Sequence, residues 1–294
     1  MNNTKYHFVT FANTSYMTSQ RIQNQAQTFN LFTSINGKTE HDIPEFINKH
    51  HDFINTNKAG YGFWIWKPKI ILDSLITLPD NDILVYCDAG IHLNTNSNSM
   101  KRLHYYFSQL INNKYICVFP SSEKYRVKQF TKNDAIMNYC PELNSDTKSN
   151  PIMCYAGLMI IKKNDKCIQL IKEWLDLCEN YHFIDNSPSN EFEESPKFAG
   201  NDCDNGLFNL VLYKHKEIVT KMPEKEVNIY RNGLQYHHLS KEEQLLVNWS
   251  LLKDKPFNVK RITPKFYRGL ERKKVNNGRK MLRMNMNMNM NIRR

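Results

Sequence analysis

The residues best suited to chemistry are a few acids set beside small residues and amides. Asp88 ends the run ILVYCDAG (83–90), an apolar stretch that stops on a carboxylate. A carboxylate there is costly unless it is paired or holds a cation, so it is a site candidate on physics alone. Ala89 and Gly90 behind it let backbone and ligand approach closely. The plainer reading is that Asp88 caps a turn. Asp202 and Asp204 lie in GNDCDNG (200–206), where a loop enters a helix. Acids at such a place often cap the helix. As a pair, with Asn205 adjacent and a glycine on each side, they also suit a role facing a ligand. His237 and His238 are a further pair, of a type that is usually structural or exposed. Ahead of Asp88, GYGFWIWKP (60–68) puts Tyr61, Trp64, Trp66 and Lys67 beside two glycines. Aromatic clusters are usually core, but this one leads into the helix before the Asp88 strand.

Those residues need elements to hold them. YHFVTFA (6–12) alternates like a strand. SQRIQNQAQTFNLF (19–32) reads as a helix, and so does 41–54, starting at Pro44. Pro68 suits the start of the helix KIILDSLITL, and ILVYCDAG reads as a strand buried on both faces. Residues 97–112 are helical, YICVFP (115–120) is a strand, and TKNDAIMNY (131–139) a short helix. PIMCYAGLMIIKK (151–163) carries a strand. NDKCIQLIKEWLDLCEN (164–180) keeps its apolar residues on one stripe. Residues 181–201 read as a polar loop able to act as a lid, and 204–215 as a helix. EIVTKMP and EVNIY suggest short late strands. QYHHL and a helix over 240–252 close the folded body. The strand–helix alternation predicts an α/β domain with a mainly parallel central sheet and helices on both faces. No dinucleotide fingerprint and no P-loop occurs.

The chain's net charge is +11. Residues 260–294 hold twelve Lys and Arg against one acid, Glu271, which leaves 28 basic and 28 acidic residues in 1–259. The domain expectation is therefore one neutral body, 1–259, and a basic, low-complexity, disordered tail, 260–294, with MNMNMNMN (284–291) just before the last three residues. Such a tail either only keeps the chain soluble or contacts an anionic surface, membrane or nucleic acid. A neutral body without a recognition-helix, RNP-like or OB-like motif argues against a nucleic-acid-binding protein. The seven cysteines are odd in number and never spaced C-x-x-C. They read as buried free thiols in a reducing compartment, so a cytoplasmic location is expected. No secretory signal and no membrane-spanning run is apparent.

In order and spacing, YHFVTFA, Arg21 in RIQNQA, GYGFWIWKP, ILVYCDAG with Asn94, FTKND, CYAGLMIIKK, the EWL helix and the D-N-G helix start resemble a family of GT-A-fold glycosyltransferases of bacteria and large DNA viruses. The likeness spans about residues 6–215. Its most specific part is W-x-W-K-P followed by D-A-G. It implies a Rossmann-like GT-A sheet and a transferase that uses a nucleotide-sugar donor of UDP or GDP type. The sugar would pass to a hydroxyl of a glycan or glycoprotein acceptor, with Mn²⁺ or Mg²⁺ gripping the donor diphosphate. Asp88 matches the first carboxylate of the family's D-x-D-like motif. Gly90 stands at the second, so His92 or a C-terminal histidine such as His238 would complete the metal ligands. Arg21, Tyr61, Trp66, Lys67, Asp88, Ala89 and Gly90 would flank the donor. Lys67 would meet phosphate, and Arg21 either phosphate or a structural carboxylate. Near 204 the family reads R-H-D-Q-S, and here Asp204 is retained with Asn205 as a shortened amide. The likeness makes Asp204 and Asn205 acceptor-side residues, Asp204 binding the acceptor hydroxyl or acting as its base. The alternative is a degenerate GT-A domain that binds nucleotide or glycan without turnover.

Overall fold

Apolar strands alternate with amphipathic helices along the first 220 residues, and the computed structural model assembles them into one six-stranded sheet. It describes residues 4–259 apart from 16–17, 146–148, 229, 232–233, 236–239, 241 and 244–246. The strands are β1 Tyr6–Phe11, β2 Ser34–Lys38, β3 Ile83–Cys87, β4 His92–Leu93, β5 Ile116–Pro120, β6 Cys154–Lys162, β7 Val219–Lys221, β8 Tyr230–Arg231, β9 Leu234–Gln235 and β10 Phe257–Asn258. The large sheet has the order β2-β1-β3-β6-β5-β7. β1 is parallel to β2 and β3, β5 is parallel to β7, and β6 runs antiparallel to β3 and β5. Five strands thus share one direction and β6 alone reverses. This is the mainly parallel α/β sheet that the alternation predicts.

Period-two alternation splits each central strand between two cores. Val9, Phe11, Leu84, Tyr86, Val118, Met159 and Ile161 face one side, under the helices Trp66–Ile76, Asp165–Glu179 and Cys203–Lys214. Phe8, Val85, Cys87, Cys117, Leu158 and Ile160 face the other, under Ile22 and Ala26 of helix Gln20–Gln27 and Leu103, Tyr106 and Phe107 of helix Ser97–Ser108. Each fully buried Leu, Ile or Phe contributes about 1.5–3 kcal/mol, so these layers hold the fold without staples. All seven cysteines are buried and unpaired. Among the described residues no helix is long and apolar enough to cross a membrane.

The differences from expectation have local causes. β2, SINGK, is a polar edge strand with no buried residue, so it carries no apolar pattern. The helix expected over 41–54 breaks at His50 (φ −104°, ψ 16°) into Pro44–Lys49 and His51–Thr56. The loop 181–201 is tied down. The buried Asp134 carboxylate accepts from His182 Nε2 (2.6 Å) and from the backbone N–H groups of Asn190 (2.7 Å) and Phe192 (2.9 Å). The buried Lys132 ammonium pairs with Asp185 and donates to Ser187 Oγ at 2.9 Å. Most of QYHHL, part of 240–252, His237, His238 and the basic tail lie outside the described residues.

Glu173 joins the two helices that pack behind the site. It accepts from Tyr139, from Gln169 Nε2 at 2.9 Å and from His215 at 3.0 Å. Burial alone would lift its pKa, but these hydrogen bonds outweigh burial and hold it at about 2. A carboxyl depressed on folding stabilises fully above its ordinary range near 4.5 and loses that contribution as pH falls toward 2. Glu173→Gln should therefore lower Tm at pH 6 and lose most of its deficit at pH 2.5, read by thermal melts across that range.

Candidate active site

The chain runs from β1 out to β2, then returns past β1 to β3. This reversal puts a topological switch point at the carboxyl ends of β1 and β3, the place where open α/β sheets bind ligands. Asp88 follows the last residue of β3 directly. Its N–H donates to Gly157 O (2.8 Å), and Ile91 N–H donates back to Asp88 O (2.9 Å), so D-A-G is a tight turn at the strand end. Position 157 needs glycine: a Cβ there would sit 2.4 Å from Asp88 Oδ2 and 2.4 Å from the Tyr155 ring.

Three groups brace the Asp88 carboxylate. Tyr86 OH donates to Oδ1 (2.8 Å) and Tyr155 OH to Oδ2 (3.2 Å). Burial and then Asp88 itself push the Tyr86 hydroxyl pKa up, so it remains a donor. Lys67 Nζ lies 3.6 Å from Asp88 Oδ1 and 2.8 Å from Asp204 Oδ2. The Lys67 and Asp204 side chains are each 4% exposed, against 19% for Asp88. One buried ammonium is thus shared by a hidden carboxylate and a half-open one. Burial alone would lower the Lys67 pKa, but Asp204 and then Asp88 outweigh it and keep the ammonium charged. Burial lifts the Asp204 carboxyl to about 7 against the pull of Lys67.

Unusual backbone delivers both ends of that pair. Gly60, Tyr61, Gly62, Phe63 and Trp64 all have positive φ, between 52° and 84°. This is a left-handed turn, which costs L-residues roughly 1–2 kcal/mol each. The Trp66 indole N–H closes it onto Gly60 O (2.9 Å), while the Trp66 ring stacks on Phe11 with centroids 3.8 Å apart. The Trp64 ring lies 5.8 Å from Lys67 Nζ. Asp204 is preceded by Cys203 with φ 45°, a second left-handed position. Backbone strain of this kind collects at functional sites.

The structure brings Arg21, Lys67, Asp88, Ala89, Gly90 and Asp204 to this one sheet end. Arg21, half-buried on the helix after β1, donates to Ala89 O (2.5 Å) and to Gln25 Oε1 (2.6 Å), both neutral acceptors. Gln25 Oε1 also takes Leu93 N–H (3.2 Å), which fixes the far side of the turn. A Cβ added at Gly90 would meet nothing within 4 Å. His92 lies two residues past Gly90 on β4, paired with Asn258 of β10. Trp66 is buried under β1, and the Tyr61 hydroxyl pKa is raised by burial and then by Glu40. Asn205 has both ends of its amide engaged, Oδ1 taking Ala156 N–H (2.8 Å) and Nδ2 donating to Asp202 Oδ2 (2.6 Å). Sequence reading missed Tyr86, Tyr155 and Gly157, whose only signal is their place on strands flanking Asp88.

No protein-family model matches the chain, and no curated protein matches it significantly. Among solved structures it is similar to the apo form of mouse xyloside xylosyltransferase 1, at 11% identity and TM-score 0.38 over 74% of this chain and 85% of that one. It is also similar to a glycosyltransferase involved in the glycosylation of the major capsid of PBCV-1, at 11% identity and TM-score 0.42 over 86% and 91%. A third is the bifunctional glycosyltransferase WbbM in its apo form, at 11% identity and TM-score 0.43 over 87% of this chain and 45% of that one. Likeness at this level identifies no activity, and the site itself has to supply the functional argument.

Removing Lys67 leaves a buried carboxylate without its counter-charge, a loss of about 3–5 kcal/mol. Lys67→Met should cost that much at pH 8. The deficit should shrink toward pH 5, where the Asp204 carboxyl takes up a proton. Adding Asp204→Leu should restore most of the loss at pH 8. Urea unfolding at both pH values reads all three outcomes.

Proposed function

We propose that this chain is a glycosyltransferase that moves a sugar from a nucleoside-diphosphate sugar of UDP or GDP type to a hydroxyl of a glycan or glycoprotein. The observation that carries the reading is the braced Asp88 carboxylate at the switch point of the sheet, with a half-buried Arg21 gripping the next residue. Among the described residues Arg21 donates to Ala89 O and Gln25 Oε1, both neutral acceptors. A cation so placed suits the diphosphate of an arriving donor. Asp88 and Arg21 set the two sides of that subsite, and the open space at Gly90 lets the donor lie against the turn. Lys67 offsets the charge of Asp88 from behind, and Trp64 covers Lys67. Trp66 supports the turn from below.

A divalent cation belongs to this proposal, because Asp88 sets a partly exposed carboxylate at the strand end, where phosphate oxygens can share it. Among the described residues no three His, Cys, Asp or Glu side chains gather into a cage. The fit is with Mn²⁺ or Mg²⁺ held by one carboxylate, Asp88, together with phosphate oxygens and water, a mode hard cations accept. When bound it supplies Lewis-acid neutralisation of the departing diphosphate. The seven unpaired thiols support a reducing, cytoplasmic setting. The basic tail supplies contact with an anionic surface in this reading.

Thermal-shift titration with a panel of nucleotide sugars and Mn²⁺ tests the donor site, since a bound donor stabilises the fold by mass action. One donor class should raise Tm, and the protein should release nucleoside diphosphate from it. Arg21→Ala should weaken that donor roughly 10- to 100-fold, as loss of a charged hydrogen bond does. Asp88→Ala should abolish release. Binding without release would replace this reading with a degenerate domain, and no shift with any donor would remove it.

A further inference from the structure

At the end of the sheet opposite Asp88, three neighbouring strands set a serine, a histidine and an aspartate in a row. His7 lies near the start of β1, and its register partner on β2 is Ser34, so the two side chains share a face. Asp82 stands just ahead of β3, which pairs with β1 on its other side. Ser34 Oγ lies 2.8 Å from His7 Nδ1, and His7 Nε2 lies 3.0 Å from Asp82 Oδ2. The other oxygen of that carboxylate accepts Lys5 N–H at 2.9 Å. A carboxylate accepts and does not donate, so it fixes the imidazole hydrogen on Nε2. Nδ1 is then the acceptor for the Ser34 hydroxyl. His7 and Asp82 are 8% and 5% exposed, whereas Ser34 is half-buried. Asp82 and Asp88 bracket β3, which holds them about 20 Å apart along the strand.

A second observation gives this row something to act on. His7 and Ser34 line a cavity of about 160 Å³ between β2 and helix Trp66–Ile76, together with the apolar Ile43, Ile70, Leu78 and Leu84. The charged groups around it have partners of their own, Lys38 with Asp42 at 3.0 Å and Asp73 with Lys69 at 2.7 Å. A cavity of about 150 Å³ holds a molecule the size of benzene, so this one suits a short, uncharged group. Asn36 also lines it, with Nδ2 3.5 Å from Ser34 Oγ. An amide donor beside a nucleophile is what the oxyanion of an acyl transfer needs.

We propose that Ser34, His7 and Asp82 form a second catalytic site, which hydrolyses esters that carry a short, uncharged acyl group. Ser34 is the nucleophile, His7 its base, and Asp82 a positioning residue that orients His7 and steadies its charged form. In the first step Ser34 Oγ bonds to the acyl carbon and its proton passes to His7 Nδ1. The carbon–oxygen bond of the ester breaks, its electron pair leaves with the alcohol oxygen, and that oxygen takes the proton from Nδ1. Water then attacks the acyl-serine and gives a proton to the same nitrogen. The bond from the acyl carbon to Oγ breaks, the proton returns to Oγ, and a carboxylic acid leaves. Asn36 holds the oxyanion in both steps. The proposal does not rest on the donor reading, since it uses other residues at the other end of the sheet.

The full-length protein is treated with a fluorophosphonate probe and, separately, with p-nitrophenyl acetate and p-nitrophenyl decanoate. The probe should add at Ser34, located by peptide mass spectrometry. The acetate ester should be cleaved with a burst, and faster than the decanoate, whose chain exceeds the cavity. Ser34→Ala should remove the label and lower acetate hydrolysis by about 100-fold or more, and His7→Gln should do the same. Asp82→Asn should lower kcat by about 100-fold and keep KM within about twofold, a split that a loss of packing alone would not give. If either buried variant fails to fold, the label and Ser34→Ala decide, because Ser34 lies half-buried on the edge strand. Labelling at another residue, or wild-type hydrolysis by Ser34→Ala, overturns the proposal. A wild type inert to the probe and to both esters overturns it as well, and leaves the donor reading standing.

Discussion

One buried ammonium organises this molecule. Lys67 lies between Asp204 at 2.8 Å and Asp88 at 3.6 Å, with almost no access to water. Desolvating an ion costs several kcal/mol, and attraction offsets that only when geometry and neighbours are right. The surrounding structure meets the requirement. The left-handed turn at 60–64 aims Lys67, and Trp66 closes that turn against β1. Cys203 turns Asp204 inward, and Trp174 Nε1 donates to Asp204 O (3.0 Å) to seat the helix. Tyr86, Tyr155 and Gly157 then shape the place where Asp88 meets the same charge.

Much of the frame was legible in the residues. β1, β3, β5 and β6 are apolar runs in which side chains alternate between two buried faces, and such runs read as buried strands. Helix 164–180 showed a stripe because one of its faces is wet. β2 was invisible because an edge strand of Ser, Ile, Asn, Gly and Lys buries nothing. The break at His50 was invisible because no Pro or Gly marks it; His50 sits between Tyr181 and Glu179, partners far along the chain.

The site was legible in part. Asp88 announced itself as a carboxylate ending an apolar strand, and Lys67 by its nearness to that strand. The direction in which Asp204 points could not be read, since helix-cap patterns are the same for an acid facing water and one facing a lysine. The positive φ at Cys203 decides it, and a non-glycine residue gives no local sign of that conformation. Trp66 read as core by its type and as a candidate wall of the pocket by its place in the chain. Its contacts with Phe11 and Gly60 set it beneath the turn.

The reversed strand also orders the molecule's own assembly. β2, β1 and β3 are made first and pair with one another directly. β5 follows, but its place in the sheet is beside β6 and not beside β3. A chain emerging from the ribosome therefore carries two unjoined sheet edges until residues 154–162 arrive as a keystone. Only afterwards is residue 204 made, and Lys67 keeps its water until then. Burial of the charge thus comes late in synthesis, and a nascent chain halted before residue 204 holds a hydrated lysine where the finished protein holds its site.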